Sequence, residues 1–226
     1  MQSFFLFIFL ICLPFLATSQ FKSSFYKSLK NDGALLVRLS TKESQIAALR
    51  QKGKDKVADE LAARQATINR NIINGFKENY TIGPVYFFFT EQTQAIRNKD
   101  FASVTFLDAN LKPDTSIKFS GEKFLTAEFA SIDQNEIKPT SKYDKAHGTQ
   151  YHNGSVTTFE ALILKDDQVV QLTDPYLVYV KTYESMFLRR TADNVIRKFN
   201  DKLKKRLPRQ KKTRLATPKE AIKGSN

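Results

Sequence analysis

The alternation of apolar and polar residues along the chain predicts the strands first. The mainly apolar segment 34–39, which follows Asp32-Gly33, predicts a strand. The run at 84–89 is continuously apolar and predicts a buried strand at a central position in a covered sheet. A shorter run at 104–107 predicts another strand. The segment from Lys123 to Ser131 alternates and predicts a strand with two distinct faces. One face carries Phe124, Thr126, Glu128 and Ala130, and the other carries Leu125, Ala127 and Phe129.

Helical spacing occurs between and after these strands. Ser40 or Thr41 can cap a short helix through Arg50, and a longer helix is predicted from Asp55 to about Glu78. The longer helix carries one apolar stripe that should pack on the sheet, formed by Val57, Leu61, Ile68, Ile72 and Phe76. A short helix is predicted over 90–98, and a last helix begins after Thr191 and ends before Pro208.

The order of these elements predicts the fold class. Residues 160–165 and 168–172 flank Asp166-Asp167 and predict a hairpin, because Asp tolerates the positive φ of a tight turn. Residues 176–183 predict an edge strand. Strands that alternate with helices favour parallel crossovers. We therefore expect a single α/β domain with a largely parallel central sheet, flanking helices, an added β-hairpin and a basic C-terminal helix.

The N-terminus predicts export. An unbroken apolar run at 4–16 ends in Ala17-Thr18-Ser19, which is typical of a cleaved signal peptide and too short to span a bilayer. We expect a signal peptide at 1–19, a leader at 20–32, the α/β domain at 33–207 and a basic disordered tail at 208–226. Since Cys12 is the only cysteine, the mature chain would have neither disulfides nor thiolate sites.

The positive charge is concentrated at the C-terminus. Of the net charge of +13, +11 follows residue 188. Such a segment predicts binding to an anionic envelope surface of lipid or lipopolysaccharide, and a solvated tail that only aids solubility is the alternative. Nucleic acid is not expected, because no basic residues interleave with the apolar run at 84–89. The residues predicted to bind the surface are Lys204, Lys205, Arg206, Arg209, Lys211, Lys212 and Arg214.

Candidate chemistry lies in the polar stretch 132–158. It holds both histidines, His147 and His152, which could join Asp133, Glu136 or Asp144 in a metal site, although their spacing matches no ligand motif. Mobile surface histidines are the alternative reading. Glu128 could act as a general base, but its alternating strand position favours a solvent-facing side chain. No glycine-rich phosphate loop or catalytic motif occurs, so no cofactor is predicted.

Four of the strand segments carry a resemblance. Residues 33–39, 83–89, 124–129 and 161–165 resemble an uncharacterised family of exported proteins from Bacteroidota, over most of residues 30–205. The resemblance implies a location in the periplasm or cell envelope of a bacterium, with secretion as the alternative. It implies no activity and no site residues.

These observations favour a non-catalytic binding or cell-envelope-associated protein, with its ligand and any protein partner left open. The alternative is a hydrolase-type enzyme whose site is built from the 132–158 loop, at the carboxyl ends of the strands where open α/β sheets bind ligands. The enzyme would be favoured if five side chains met in one pocket, and dispersal over the surface would favour binding. The five are Glu128, Asp133, Asp144, His147 and His152.

Overall fold

The protein is built on one five-stranded sheet in the order β2-β1-β3-β4-β5. The computed structural model describes Tyr26, Leu29 and residues 33–121, 123–133, 158–172, 176–185 and 188–207. The strands are β1 (Ala34–Leu39), β2 (Val85–Phe89), β3 (Phe124–Asp133), β4 (Thr158–Lys165) and β5 (Tyr179–Lys181). The predicted signal peptide at 1–19 and tail at 208–226 lie outside the described residues.

The sheet is mixed, so the prediction of a largely parallel sheet is wrong, although the broad α/β class is confirmed. β1 pairs in parallel with both β2 and β3, whereas the β3–β4 and β4–β5 pairs are antiparallel. Within the described residues, the isolated bridges are antiparallel as well. The physical reason is that β4 and β5 each lie beside the strand that precedes them in the chain, which antiparallel pairing allows without a crossover.

The described helices match the predicted ranges closely, but the predicted cap of the first helix is wrong. Lys42, and not Ser40 or Thr41, is its N-cap residue, and the Lys42 side chain makes no capping hydrogen bond. The described helices are α1 (Glu43–Gln51), α2 (Asp55–Asn79), α3 (Thr93–Arg97) after a 3-10 turn at Thr90–Gln92, and α4 (Ala192–Arg206). Gly53 separates α1 from α2 with a φ of +67°, a conformation that glycine adopts without steric cost. Thr191 caps α4, since its hydroxyl accepts a hydrogen bond from the backbone N–H of Asn194.

One face of the sheet is covered by α2 and α4. The Phe76 ring lies at its centre and contacts the rings of Tyr80, Phe87 and Phe199 edge-on, with centroids 6.0, 6.2 and 6.4 Å away. Gly75 allows the two helices to approach closely, because a Cβ there would lie 2.7 Å from Ile196 Cδ1. Burial of this face accounts for most of the core.

The other face is covered by α3 and the segment that follows it. Here the rings of Phe101, Phe119 and Phe124 pack edge-on, with centroids 4.9 to 5.9 Å apart. The predicted strand at 104–107 is not formed, and Leu107 makes only an isolated bridge with Pro113. This segment nevertheless lies along β2, because the N–H of Leu107 donates to the carbonyl of Phe87 at 2.9 Å.

β2 lies at an edge of the sheet, so the predicted central position is wrong. Its run of apolar residues is explained because core residues pack on both faces of the strand. The 104–107 segment also lies along its outer edge. Sequence alone cannot distinguish a covered edge from a central strand, since both bury apolar side chains on both faces.

Only the second half of the α2 stripe reaches the sheet. Ile72 and Phe76 lie in the core, whereas Val57 and Ile68 are 49% and 39% exposed and Leu61 is half-buried. A helix of 25 residues is about 37 Å long, but a strand of five or six residues spans only about 17–20 Å. The first half of α2 therefore extends beyond β1 and β2 and packs against α1.

The predicted hairpin is formed in part. β4 ends at Lys165 and a tight turn follows, but its second arm is reduced to a single bridge between Lys165 and Gln171. The positive φ of the turn falls on Val169 and not on an aspartate. Asp166 shapes the turn instead, because its carboxylate accepts hydrogen bonds from the N–H groups of Gln168 and Val170 at 2.9 and 2.8 Å.

Two residues of the predicted leader belong to the core. Tyr26 and Leu29 are fully buried, and the Tyr26 hydroxyl donates to the Tyr176 carbonyl at 2.6 Å. A Cβ on Gly83 would lie 2.6 Å from the carbonyl oxygen of Leu29, so glycine is needed where the two segments meet. Part of the 20–32 segment is therefore packed into the fold.

Replacing Phe76 by alanine should strongly destabilise the protein. The change removes a ring at the centre of the α2/α4 face and leaves a cavity, so the free energy of unfolding should fall by about 3–5 kcal/mol. Val57→Ala on the same helix is the matched control and should change it by less than about 0.5 kcal/mol. Urea unfolding of both variants measures the difference. Equal losses would contradict the observed position of α2.

Replacing Tyr80 by phenylalanine should leave stability unchanged or raise it by up to about 1 kcal/mol. The Tyr80 hydroxyl is buried and has no hydrogen-bond partner among the residues that the structure describes, so its removal relieves a desolvation penalty. Burial also raises the pKa of the Tyr80 phenol. The phenol therefore ionises more readily in the unfolded chain than in the folded one. The free energy of unfolding of the parent chain is not reduced by this below the ordinary tyrosine pKa of about 10, but it falls as the pH rises above that value.

Thermal melts from pH 8 to 11 test this expectation. The advantage of Tyr80→Phe over the parent chain should widen above pH 10, since only the parent loses stability by ionisation of that phenol in the unfolded state. Tyr183→Phe is the control, because Tyr183 is exposed. A destabilised Tyr80→Phe variant would show that the hydroxyl has a partner in solution.

Candidate functional site

The Glu128 carboxylate joins three strands of the sheet. Glu128 on β3 lies directly opposite Arg38 on β1, and their Oε2 and Nη1 atoms are 2.7 Å apart. Lys165 on β4 is the diagonal neighbour across the antiparallel pair, and its ammonium contacts Oε1. We call these three residues the Glu128 cluster. Each carboxylate oxygen therefore has one cationic partner.

Glu128 is only 8% exposed, so the expectation of a solvent-facing side chain is wrong. The alternation of β3 is as predicted, but that face is covered, and the strand register supplies two cations to a carboxylate that would otherwise be buried unpaired. The geometry is that of a crosslink between strands. Glu128 does not line the cleft described below.

A cleft opens at the carboxyl end of β1, between the middle of α2 and the start of α4; we call it the carboxyl-end cleft. Its volume is about 340 Å³. Ser40 and Lys42 enter it from the loop after β1, and the buried Asn69 fixes that loop, since its amide donates to the Ser40 carbonyl at 2.9 Å. The other polar lining includes Arg38, Gln65, Asn71, Ser131, Glu160, Thr182, Arg189 and Arg190.

Cations outnumber anions around this cleft. Lys42, Arg189 and Arg190 line it, together with Arg38, whose charge is paired with Glu128. Among the described residues of the lining, Glu160 alone carries a carboxylate. Arg189 Nη2 lies 3.0 Å from Glu160 Oε2 at the exposed rim. The cleft also borders the first turn of α4, where the helix dipole favours negative charge. The arrangement suits an anionic ligand.

A second groove, which we call the α4–β5 groove, adjoins the first through Arg190. Alternation along β5 directs the carbonyls of Tyr179 and Lys181 away from β4. Lys202 Nζ donates to the first at 2.7 Å and Arg190 Nη1 to the second at 3.0 Å. Both cations therefore cap the free edge of the sheet. The rest of the lining is Val180, Tyr183, Glu184, Lys198, Asp201 and Lys205.

Like charges meet in this groove. Burial, followed by the positive charges of Arg206, Arg190 and Lys198, holds the pKa of Lys202 below its ordinary value. Five cations line the groove against Glu184 and Asp201. Tyr179 adds a ring beneath the Lys202 ammonium, which lies 5.2 Å from the ring centroid. The groove is a concentrated positive surface with an aromatic wall.

The structure describes only some of the basic residues that the sequence predicted to bind a surface. Lys204, Lys205 and Arg206 form the last turn of α4, and Lys205 lines the groove. Sequence reasoning missed Lys181, Arg190, Lys198 and Lys202. The spacing of 198, 202 and 205 was an available signal, since it places three lysines on one helix face. The remaining predicted residues, Arg209, Lys211, Lys212 and Arg214, lie outside the described residues.

Apart from Glu128, the predicted catalytic and metal candidates stay predictions. Asp133 ends β3, while Asp144, His147 and His152 lie outside the described residues, as does Glu136. The hydrolase built from the 132–158 loop thus stays a prediction. Within the described part of the chain, no group of three or more His, Cys, Asp or Glu side chains is suited to a metal ion.

Comparison with protein-family models, with curated proteins and with solved structures finds no match for this chain. The resemblance to exported proteins of Bacteroidota therefore stays a prediction. Among the described helices, none has both the length and the apolar character that a membrane span requires. The features of the described residues that bear on function are the carboxyl-end cleft and the α4–β5 groove.

Replacing Glu128 by glutamine should destabilise the protein by about 2–4 kcal/mol. The change leaves Arg38 and Lys165 without their anion, and both side chains are largely buried. Glu160→Gln is the matched control. It removes an exposed pair with Arg189 and should cost about 0–1 kcal/mol. Thermal and urea unfolding measure both. Similar small effects would show that the Glu128 cluster does not hold the strands together.

Proposed function

We propose that this protein is a non-catalytic, envelope-associated binding protein that attaches to anionic surfaces, lipid or lipopolysaccharide, through the basic face of α4. The observation that carries the proposal is the convergence of Lys198, Lys202 and Lys205 with Arg190 in the α4–β5 groove. A phosphate-bearing surface would supply the negative charge that this groove lacks.

The electrostatics of Lys202 support the proposal. Packing cations together is unfavourable, and the lowered pKa of Lys202 reflects both its burial and that repulsion. Asp201 and Glu184 offset only part of the positive charge. An anion bound among these side chains would remove the repulsion. The lysines that would bind it are already held together on one helix.

The way α4 is held also supports a surface role. Its apolar side is buried against the sheet through Val195, Phe199 and Leu203, so its basic side faces outward in a fixed orientation. The tyrosine rings at 179 and 183 lie in the same groove and are amphipathic groups suited to a polar interface. The basic sequence continues through 208–226, which would add charge to the same end of the chain.

A charge-matched pair of variants tests the proposal. Lys198, Lys202 and Lys205 are replaced together by glutamine, and the control replaces Lys52, Lys54 and Lys56, which are exposed at the α1–α2 turn. Each basic residue near an anionic membrane contributes about 1 kcal/mol, so the groove variant should bind at least tenfold more weakly. The control should bind like the parent chain.

Co-sedimentation with phosphatidylglycerol vesicles, phosphatidylcholine vesicles and lipopolysaccharide measures the binding at low and high salt. Parent binding should be restricted to the anionic surfaces and should fall as the Debye length shrinks from about 10 Å at 0.1 M to about 3 Å at 1 M. A chain truncated after Pro208 separates the groove from the tail. Equal loss in both triple variants, or binding that depends only on the tail, would contradict the role of the groove. Circular dichroism confirms that each variant is folded.

A further inference from the structure

We infer that the carboxyl-end cleft is a binding site for a small amphipathic carboxylate, a molecule with one anionic head and a short apolar body. This site is separate from the proposed surface attachment, because its lining includes none of the α4 lysines. A volume of about 340 Å³ lies at the small end of the range of ligand pockets, about 300–1,000 Å³.

The head group is indicated by the charges of the lining. Arg189 is 57% exposed and forms an ion pair with Glu160, which is itself 52% exposed, across the rim. A carboxylate from solution can therefore replace the Glu160 carboxylate on the same guanidinium and accept the same charge-assisted hydrogen bond. Glu160 thus acts as an internal competitor that occupies the site in the absence of ligand.

Two further features favour an anion in the cleft. Arg190 lines the cleft, and its guanidinium is held in place because Nη1 donates to the carbonyls of Lys181 and Tyr183 at 3.0 and 2.6 Å. The first turn of α4 meets the same cleft through Ala192, and its dipole favours an anion there.

The apolar body is indicated by the remaining wall. Ile72 and Val195 line the cleft and belong to the buried core between the sheet and the two helices, and Phe129 and Ala192 pack against the same core. An inorganic anion would leave this apolar wall in contact with water. A ligand with a short hydrocarbon part would cover it and gain the free energy of apolar burial. The combined lining therefore favours an amphipathic carboxylate over phosphate.

Octanoate is the probe, with octan-1-ol as its uncharged analogue and inorganic phosphate as the anion without an apolar body. Titration calorimetry on the full chain measures their affinities. Octanoate should bind, and the other two should bind at least tenfold more weakly. Equal binding of octan-1-ol would show that the cations play no part. Binding of phosphate alone would assign the cleft to inorganic anions and overturn the amphipathic class.

Two substitutions with opposite expected effects test the geometry. Arg189→Gln removes the guanidinium and should weaken octanoate binding about tenfold. Glu160→Gln removes the competitor and should strengthen it about threefold. Arg64→Gln, an exposed arginine of α2 outside the cleft, is the control and should change nothing.

A general change in fold or net charge cannot produce this pattern, because Arg189→Gln and Arg64→Gln remove the same charge. The thermal midpoint of each variant checks that the fold is retained. If Glu160→Gln weakens binding, or if Arg189→Gln leaves it unchanged, octanoate does not bind at this ion pair and the assignment is wrong.

Discussion

The ion pairs of Glu128 are the constraint on which the sheet depends. β3 pairs in parallel with β1 and antiparallel with β4, and the Glu128 carboxylate contacts a cation from each neighbour. A carboxylate this deeply buried is tolerated only while both partners remain in place, so a shift in register on either side would leave charge unpaired. The cluster therefore specifies one alignment of three strands, and Arg38 stands immediately before the end of β1, where the carboxyl-end cleft begins.

A second consequence of packing is the placement of α4. Gly75 lets this helix approach α2 closely, and Phe199 places its apolar side against the Phe76 ring. Burial of that side determines which side of the helix faces outward. Its N-terminus then borders the carboxyl-end cleft and its lysines line the α4–β5 groove. Both proposed sites thus depend on one helix held by apolar contacts, while neither requires a catalytic group.

The sequence predicted the individual helices and strands better than it predicted how they pack against one another. The strand at 34–39, the long helix from Asp55 and the capped helix after Thr191 follow from local periodicity and capping, and each is present. The edge position of β2, the exposure of Val57 and the burial of Glu128 depend on which segments pack together in space. Alternation along a strand identifies two faces, but it does not state which of them another segment covers.

The same distinction applies to the candidate sites. The lysine spacing on α4 can be read from the sequence, whereas the meeting of Arg189 with Glu160 joins residues 29 positions apart and exists only in the folded chain. The two sites also differ in how their cations are arranged. The lysines lie together on one outward helix face, whereas Arg189 lies at the rim of the cleft beside Glu160, with 57% of its side chain exposed. Salt can screen both groups of cations, so the ion pair across the rim, and not a difference in dielectric, distinguishes the cleft from the groove.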